Sequence, residues 1–106
     1  MTLDELFQKM PAALNASAAS GVSATIQFNT SAPRYVVIND GTLAVNEGET
    51  TPYTVAVTMA DDDLVALLTG KLDGMTAFMT GKLKLDGDIM FAQKIGSLFS
   101  ASALAE

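Results

Sequence analysis

The chain begins with a helical spacing of apolar residues. They recur at intervals of three and four, the spacing that places side chains on one face of a helix: Leu3, Leu6, Phe7, Met10 and Leu14. Thr2, with Glu5 three residues later, fits a capping box at the start of this helix. Pro11 lacks a backbone N–H and disfavours helical geometry in the residue before it, so we expect a kink or a restart at this point and an end before Gly21.

The spacing then changes to a period of two, which is typical of strands with one buried face. Residues 22–29 alternate cleanly between apolar and polar. Residues 35–38 are apolar on both faces, as expected of a central strand. Asp40-Gly41 predicts a two-residue hairpin turn, since that turn needs positive φ at both central positions. A third strand follows, and residues 53–59 alternate as a fourth, so the pattern predicts an antiparallel meander.

Helical spacing returns in the second half of the chain. Asp61 is predicted to cap a helix that stops at Gly70, and Asp73 to cap a second helix that stops at Gly81. A short alternating strand follows, and Asp88 is predicted to cap a last helix. The order of helix, four strands, two short helices, strand and helix predicts an α+β fold, with one sheet and helices gathered on one face.

A short sequence occurs twice in this half. Leu68-Thr69-Gly70-Lys71-Leu72 is followed by Met79-Thr80-Gly81-Lys82-Leu83, and both copies lie where a helix is predicted to end at glycine. Because the span is too short for a repeat architecture, we interpret it as the same helix-capping chemistry used twice.

Composition makes apolar burial or binding the central question. The chain has 106 residues, the size of one domain covering residues 1–106, with 49% hydrophobic and 17% charged residues against about 25% charged in an average soluble protein. Such a chain must bury much of its surface, bind an apolar ligand or associate. We predict no membrane span, because polar residues interrupt the longest charge-free stretch, and we expect a cytoplasmic protein because the acidic start lacks the features of a secretory signal.

Charge excludes some partners and leaves one open. The net charge of −6 argues against nucleic acid, whose phosphates need neutralising. The excess of acidic residues lies in residues 1–70, which hold two basic and eight acidic side chains, whereas residues 71–106 hold four of each. The four lysines of the second half either form a weakly basic face for transient contact with an anionic membrane or are ordinary solvated side chains.

The chain offers little for catalysis. It has no cysteine and no histidine, which removes thiol chemistry and the usual zinc ligands. The two Gly-Lys pairs lack the glycine of a phosphate loop five residues earlier, where Val65 and Thr76 stand. Asp61-Asp62-Asp63 and Asp86-Gly87-Asp88 are better explained by helix capping than by metal binding. We therefore predict a protein that is not an enzyme and that needs no metal and no cofactor.

The methionines suggest how a cavity in so small a protein is tolerated. An empty apolar cavity costs on the order of 24 cal/mol per Å³, so a tunnel of about 300 Å³ would cost ~7 kcal/mol, comparable to the stability of a domain. The cavity must be filled by a ligand or partly collapse, and flexible methionine side chains suit both states. An ordinary core with methionine as filler is the alternative.

The segment from Gly70 to Ile95 resembles the sterol carrier protein type-two family of lipid-transfer domains. It contains Gly70-Lys71-Leu72, then Gly81-Lys82-Leu83-Lys84-Leu85, then Gly87-Asp88 before a last helix with alanine and lysine. The resemblance implies a five-stranded, mostly antiparallel sheet covered on one face by helices, with an apolar tunnel between the two layers. It also implies non-enzymatic binding and transfer of fatty acids, fatty acyl-CoA or sterol-like lipids.

The same resemblance gives candidate site residues. Phe78 and Met79 match the helix that borders the tunnel. The lid of the tunnel is expected to consist of Ile95, Leu98 and Phe99. Its supporting wall is expected to consist of Leu64, Leu68 and Met75, and its floor of Ile26 and Phe28. The leading hypothesis is a carrier of a lipid with a long acyl chain. The alternative is an accessory module that uses the same groove to hold a partner protein in a lipid-metabolising assembly.

Overall fold

The computed structural model describes residues 2–100 and residue 104. Within them the elements follow in this order: α1 (Leu3–Ala13), α2 (Ala16–Ala19), β1 (Ser23–Asn29), β2 (Arg34–Asn39), β3 (Thr42–Glu47), β4 (Val55–Thr58), α3 (Asp61–Leu68), α4 (Gly74–Met79), β5 (Lys84–Gly87) and α5 (Ile89–Leu98). None of the helices in this part of the chain is long and apolar enough to cross a membrane.

The first helix starts as predicted and the helical segment ends before Gly21 as predicted, but the restart lies a few residues beyond Pro11. The Glu5 N–H donates to the Thr2 hydroxyl oxygen at 3.2 Å, and the Thr2 N–H donates to the Glu5 carboxylate at 3.3 Å. The hydrogen bond from the Thr2 backbone, and after it one from the Thr2 hydroxyl to the same carboxylate, lower the pKa of Glu5. Pro11 lies inside α1, and the chain restarts as α2 only at Asn15, which accepts the capping hydrogen bonds. The restart is displaced because Met10 and Ala13, on either side of the proline, are both buried in the core.

The strands form one mixed sheet in the order β3-β2-β1-β4-β5. Neighbouring strands are antiparallel except β1 and β4, which are parallel. The predicted α+β class and mostly antiparallel sheet are confirmed. The predicted meander is wrong, because β4 pairs with β1 instead of continuing beyond β3.

A buried glutamine accounts for the crossover from β3 to β4. Gln27 lies on the sheet face opposite the core residues Ile26 and Phe28, yet it is only 2% exposed. Its amide nitrogen donates to the carbonyl of Gly48 at 3.2 Å, and its oxygen accepts from the N–H of Thr50 at 2.8 Å. These bonds hold the loop after β3 against this face of the sheet, so the loop delivers β4 to the far side of β1.

The hairpin between β2 and β3 has the predicted geometry. Asp40 and Gly41 have φ angles of 46° and 84°, so both central positions of the turn are left-handed. The expected burial of β2 on both faces is wrong. Val36 is buried, but Val37 is 36% exposed, because the sheet face on which it lies is not covered by the core.

The core lies between the other sheet face and the helices. The rings of Phe7 in α1 and Phe28 in β1 meet edge to face with centroids 5.4 Å apart. Arg34 stacks over Phe7 at 4.9 Å from the ring centroid and forms an ion pair with Asp4. This packing anchors α1 on the sheet, and α1 also contacts α3, the first helix after β4.

The start of α3 differs from the prediction in its capping residue. Ala60 is the N-cap, and Asp61 is the first residue inside the helix. Asp61 instead accepts two hydrogen bonds from Ser31, in the turn between β1 and β2. The Ser31 backbone N–H donates to one carboxylate oxygen at 2.9 Å, and the Ser31 hydroxyl donates to the other. The hydrogen bond from the Ser31 hydroxyl has the larger effect and that from the Ser31 backbone the smaller, and both hold the pKa of Asp61 below its usual value. Asp61 therefore ties α3 to the sheet instead of capping its own helix.

Candidate functional site

The two copies of the Thr-Gly-Lys-Leu sequence have the same geometry. Gly70 and Gly81 have φ angles of 84° and 79°. After Gly70, the next two N–H groups both donate to the carbonyl of Ala66 in α3, at 2.8 and 3.0 Å; after Gly81, the equivalent pair donates to Ala77 in α4, at 2.9 and 3.1 Å. The interpretation as recurring cap chemistry is confirmed. Both caps reverse the chain sharply, so a short α4 follows α3 immediately and leads at once into β5.

An apolar cavity of about 1030 Å³ lies between these turns, α5 and the sheet. Its walls are formed by the following residues: Phe28, Val57, Leu64, Leu67, Leu68, Gly70, Lys71, Leu72, Asp73, Gly74, Met75, Phe78, Leu83, Leu85, Ile89, Ala92, Gln93, Ile95 and Phe99. Ligand sites in proteins commonly measure about 300–1,000 Å³ and are lined mainly by apolar side chains. The cavity is therefore large enough for a ligand well beyond the size of a water molecule.

The floor of the cavity is set by the strand pairing. Phe28 in β1 is the register partner of Val57 in β4, and Val57 is the partner of Leu85 in β5. These three side chains form a row across the sheet on the cavity side. The row exists because β4 lies beside β1, which the predicted meander did not allow.

Two capped helix starts position the opposite walls. The Asp73 carboxylate accepts from the N–H of Thr76 at 3.0 Å at the start of α4, and the Asp88 carboxylate accepts from the N–H of Phe91 at 3.0 Å at the start of α5. The N–H of Asp88 also donates to the carbonyl of Thr54, just before β4, at 2.8 Å. The first turn of α5 is thus attached to the start of β4, beside the cavity floor.

The structure brings seven of the ten sequence-predicted residues into the cavity wall: Phe28, Leu64, Leu68, Met75, Phe78, Ile95 and Phe99. Three others are not in it. Met79 is 78% exposed at the end of α4, whereas Ile26 and Leu98 are buried in the core.

Several lining residues were missed by sequence reasoning. Leu83 and Leu85 carried a usable signal, because they alternate inward along the predicted last strand. Ile89 did not, since it lies in the first turn of α5, outside the apolar face proposed for that helix. Lys71 and Gln93 gave none, because a polar residue at the opening of an apolar cavity has no periodic signature.

Exposed apolar side chains lie on two of the helices that contribute to the cavity wall. Five large hydrophobic residues on α4 and the first turn of α5 are well exposed, and we refer to them as the apolar lips: Met75 at 64%, Phe78 at 51%, Met79 at 78%, Ile89 at 42% and Met90 at 75%. Three of them, Met75, Phe78 and Ile89, also line the cavity. Concentrated exposure of this kind is typical of a surface that contacts an apolar partner.

The chemistry of the lining favours binding over catalysis. Its charged residues are Lys71 and Asp73, and one oxygen of the Asp73 carboxylate accepts from the backbone N–H and the hydroxyl of Thr76, at 3.0 and 3.1 Å. Within the described residues, no group of three or more acidic side chains is arranged to hold a metal ion. What the walls offer is apolar contact along the depth of the cavity and polar contact at its opening.

A model of the SCP-2 sterol transfer family matches residues 3–100 of this chain. A curated relative, the peroxisomal multifunctional enzyme A of Dictyostelium discoideum, is 42% identical over 64 residues, which cover 60% of this chain. The match spans only 14% of that enzyme's length.

Solved structures show the same fold. Sterol carrier protein 2 from Yarrowia lipolytica, in its apo form, superposes with a TM-score of 0.71 at 26% identity, covering 95% of this chain and 88% of that one. Sterol carrier protein 2 from Aedes aegypti, solved in complex with the C16 fatty acid palmitate, gives a TM-score of 0.68 at 19% identity, covering 95% and 96%. The similarity covers nearly the whole chain, so the α+β fold with a five-stranded mixed sheet is the one that these proteins share.

Proposed function

Since this chain belongs to the SCP-2 sterol transfer family, we propose that it binds and transfers lipids with a long acyl chain in the cavity between α3, α4, α5 and the sheet. In this proposal the chain is a single, non-enzymatic carrier domain. The observation that carries the proposal is the cavity itself, with its mainly apolar lining and its volume of about 1030 Å³. The palmitate complex of the related Aedes aegypti fold supports a fatty acid as the first ligand to try.

The energetics of burying an acyl chain fit a carrier. Burying about 14 methylene groups at ~0.8 kcal/mol each yields roughly 11 kcal/mol. Association costs about 4 kcal/mol or more in lost freedom of motion. The remainder corresponds to micromolar or tighter affinity, which is strong enough to hold a lipid and weak enough to release it.

Native mass spectrometry tests the proposal directly. The gently purified protein is expected to carry lipid, or to take up one palmitate per chain when palmitate is offered. A protein that carries nothing and takes up neither fatty acids nor fatty acyl-CoA would contradict the carrier function.

We also propose that the apolar lips touch a membrane while lipid enters or leaves. Met79 and Met90 are exposed at the end of α4 and in the first turn of α5, each next to a residue that lines the cavity, and Lys82 and Lys94 are exposed a few residues after them in the chain. Apolar side chains beside lysines suit the interface of an anionic bilayer. Co-sedimentation with vesicles rich in phosphatidylserine should exceed that with neutral vesicles, and equal recovery would contradict this contact.

The apolar lips also favour a second candidate function, an accessory module that holds a partner protein of a lipid-metabolising assembly in the same groove. Pull-down with and without saturating palmitate separates the two functions. Partner capture that palmitate abolishes indicates a shared groove, and partner capture by a protein without affinity for lipid favours the module.

A further inference from the structure

We propose that Lys71 binds the anionic headgroup of the bound lipid, so that the cavity selects acyl lipids with a carboxylate or phosphate group over neutral ones. This inference rests on the proposed function of the cavity and adds the chemical class of its ligand.

Lys71 is the charged lining residue that remains available to a ligand. The other one, Asp73, accepts two hydrogen bonds from Thr76 on one carboxylate oxygen, and its negative charge does not suit an anionic headgroup. Among the described residues, no hydrogen bond or ion pair engages the Lys71 ammonium. Gln93, from α5, lies in the same lining and offers an uncharged donor.

The position of Lys71 fits a headgroup at the opening and a tail inside. Lys71 is exposed, whereas Phe28 and Val57 at the floor are 1% and 3% exposed. A lipid whose tail contacts the floor therefore leaves its polar end at the exposed part of the wall. A charged headgroup keeps most of its hydration there and gains an ion pair.

Comparison with Lys82 indicates that the glycine cap at the end of a helix does not by itself place a lysine in the cavity wall. It occupies the same place in the second Thr-Gly-Lys-Leu copy, after a glycine with nearly the same φ and with the same pair of backbone bonds. Lys71 lies in the cavity wall and Lys82 does not. The two lysines therefore share their local structure and differ in access to the ligand.

The charge of the chain gives Lys71 a further role. With a net charge of −6, the protein as a whole repels an approaching anion. A cation at the opening offsets this repulsion at the one place where the headgroup must sit. Its contribution is screened by water and by salt, so it is expected to change the affinity by a modest factor.

The test compares Lys71→Met with Lys82→Met, using laurate, dodecyl phosphate and dodecanol in calorimetric titrations. Methionine keeps a long apolar side chain and removes the charge. Lys71→Met should weaken laurate and dodecyl phosphate about five-fold, the size of one water-screened ion pair, and leave dodecanol unchanged. Lys82→Met should change none of the three. Added salt should weaken laurate binding in the wild type more than in Lys71→Met.

The outcomes separate this inference from the function on which it rests. Equal losses for dodecanol and laurate in Lys71→Met, or equal behaviour of the two lysine variants, would overturn the headgroup assignment. Loss of laurate alone assigns a carboxylate, and loss of dodecyl phosphate alone assigns a phosphate; both support the inference. If the wild type binds none of the three ligands, the carrier function itself fails.

Discussion

Neighbouring side chains on α4 differ sharply in what they contact. Phe78 is half exposed and lines the cavity, whereas Met79, the next residue, is 78% exposed and lies outside the lining. Both belong to the apolar lips, so their hydrophobicity alone does not tell them apart. A change that places a charge at each position in turn separates cavity binding from general surface hydrophobicity.

Phe78→Asp should lower the affinity for palmitate at least ten-fold, because a carboxylate in the apolar wall must be desolvated and faces the lipid tail. Met79→Asp should bind palmitate like the wild type. Titration calorimetry measures both, and urea unfolding checks that the two variants remain folded. Equal losses in the two variants would move the site from the cavity to the surface of α4.

Gly87 and Asp88, which belong to the sequence that resembles the sterol carrier protein type-two family, connect β5 and α5 to the start of β4. Gly87 ends β5 with a φ of 106°, and a Cβ added there would lie 2.6 Å from the carbonyl oxygen of Thr54. Asp88, the next residue, caps α5 and donates its own N–H to the same carbonyl at 2.8 Å. The pair joins a cavity wall to the start of β4, and the missing side chain of Gly87 makes the close approach possible.

Gly87→Ala should therefore destabilise the protein by more than about 2 kcal/mol, since it adds a backbone clash to an unfavourable φ. Gly48→Ala is the matched control, with a φ of 96° and nothing within 4 Å of the added Cβ, and should cost about 1 kcal/mol. Urea unfolding gives both values. A Gly87→Ala variant no less stable than Gly48→Ala would contradict the close contact between the two segments.

The link between α3 and the turn after β1 predicts a dependence of stability on pH. Hydrogen bonds from Ser31 lower the pKa of Asp61 in the folded protein. A carboxyl with a lowered folded-state pKa stabilises the protein above its unfolded pKa of about 3.9, and this contribution is lost as the pH falls through the lower folded value.

The free energy of unfolding of the wild type should thus exceed that of Asp61→Asn near neutral pH, and the difference should vanish in strong acid. Asp62→Asn is the control for removing a carboxylate from the same helix start, since Asp62 makes no side-chain hydrogen bond within the described residues. Urea titrations across this pH range measure the difference. A gap between wild type and Asp61→Asn that stays constant into strong acid would contradict the Ser31 contact.

At the scale of the whole molecule, the sequence predicted the elements better than their arrangement. Periodicity and capping residues are local, and they located the helices, the strands and the turn at Asp40-Gly41. The pairing of β4 with β1 depends on a loop that hydrogen-bonds to Gln27, more than 20 residues away along the chain. In an alternating strand a buried glutamine has the same pattern as a solvent-facing one, so the crossover left no local signal.

The candidate site was predictable to a similar extent. Helical spacing identifies an apolar face, and seven of the ten predicted residues lie in the cavity wall. Spacing does not tell which part of that face meets the cavity and which part packs in the core. Ile26 and Leu98 are buried in the core, and whether Met79 contacts lipid stays a prediction.

The most direct test of the carrier function is the position of a bound acyl chain in solution. Isotope-filtered NOEs between palmitate and the labelled protein should connect the methylene chain to Phe28, Val57 and Ile95 in the cavity. Contacts with Val37, on the sheet face without core, are not expected. NOEs confined to the exposed lips or to that opposite face, with none to the cavity floor, would contradict binding between the helices and the sheet.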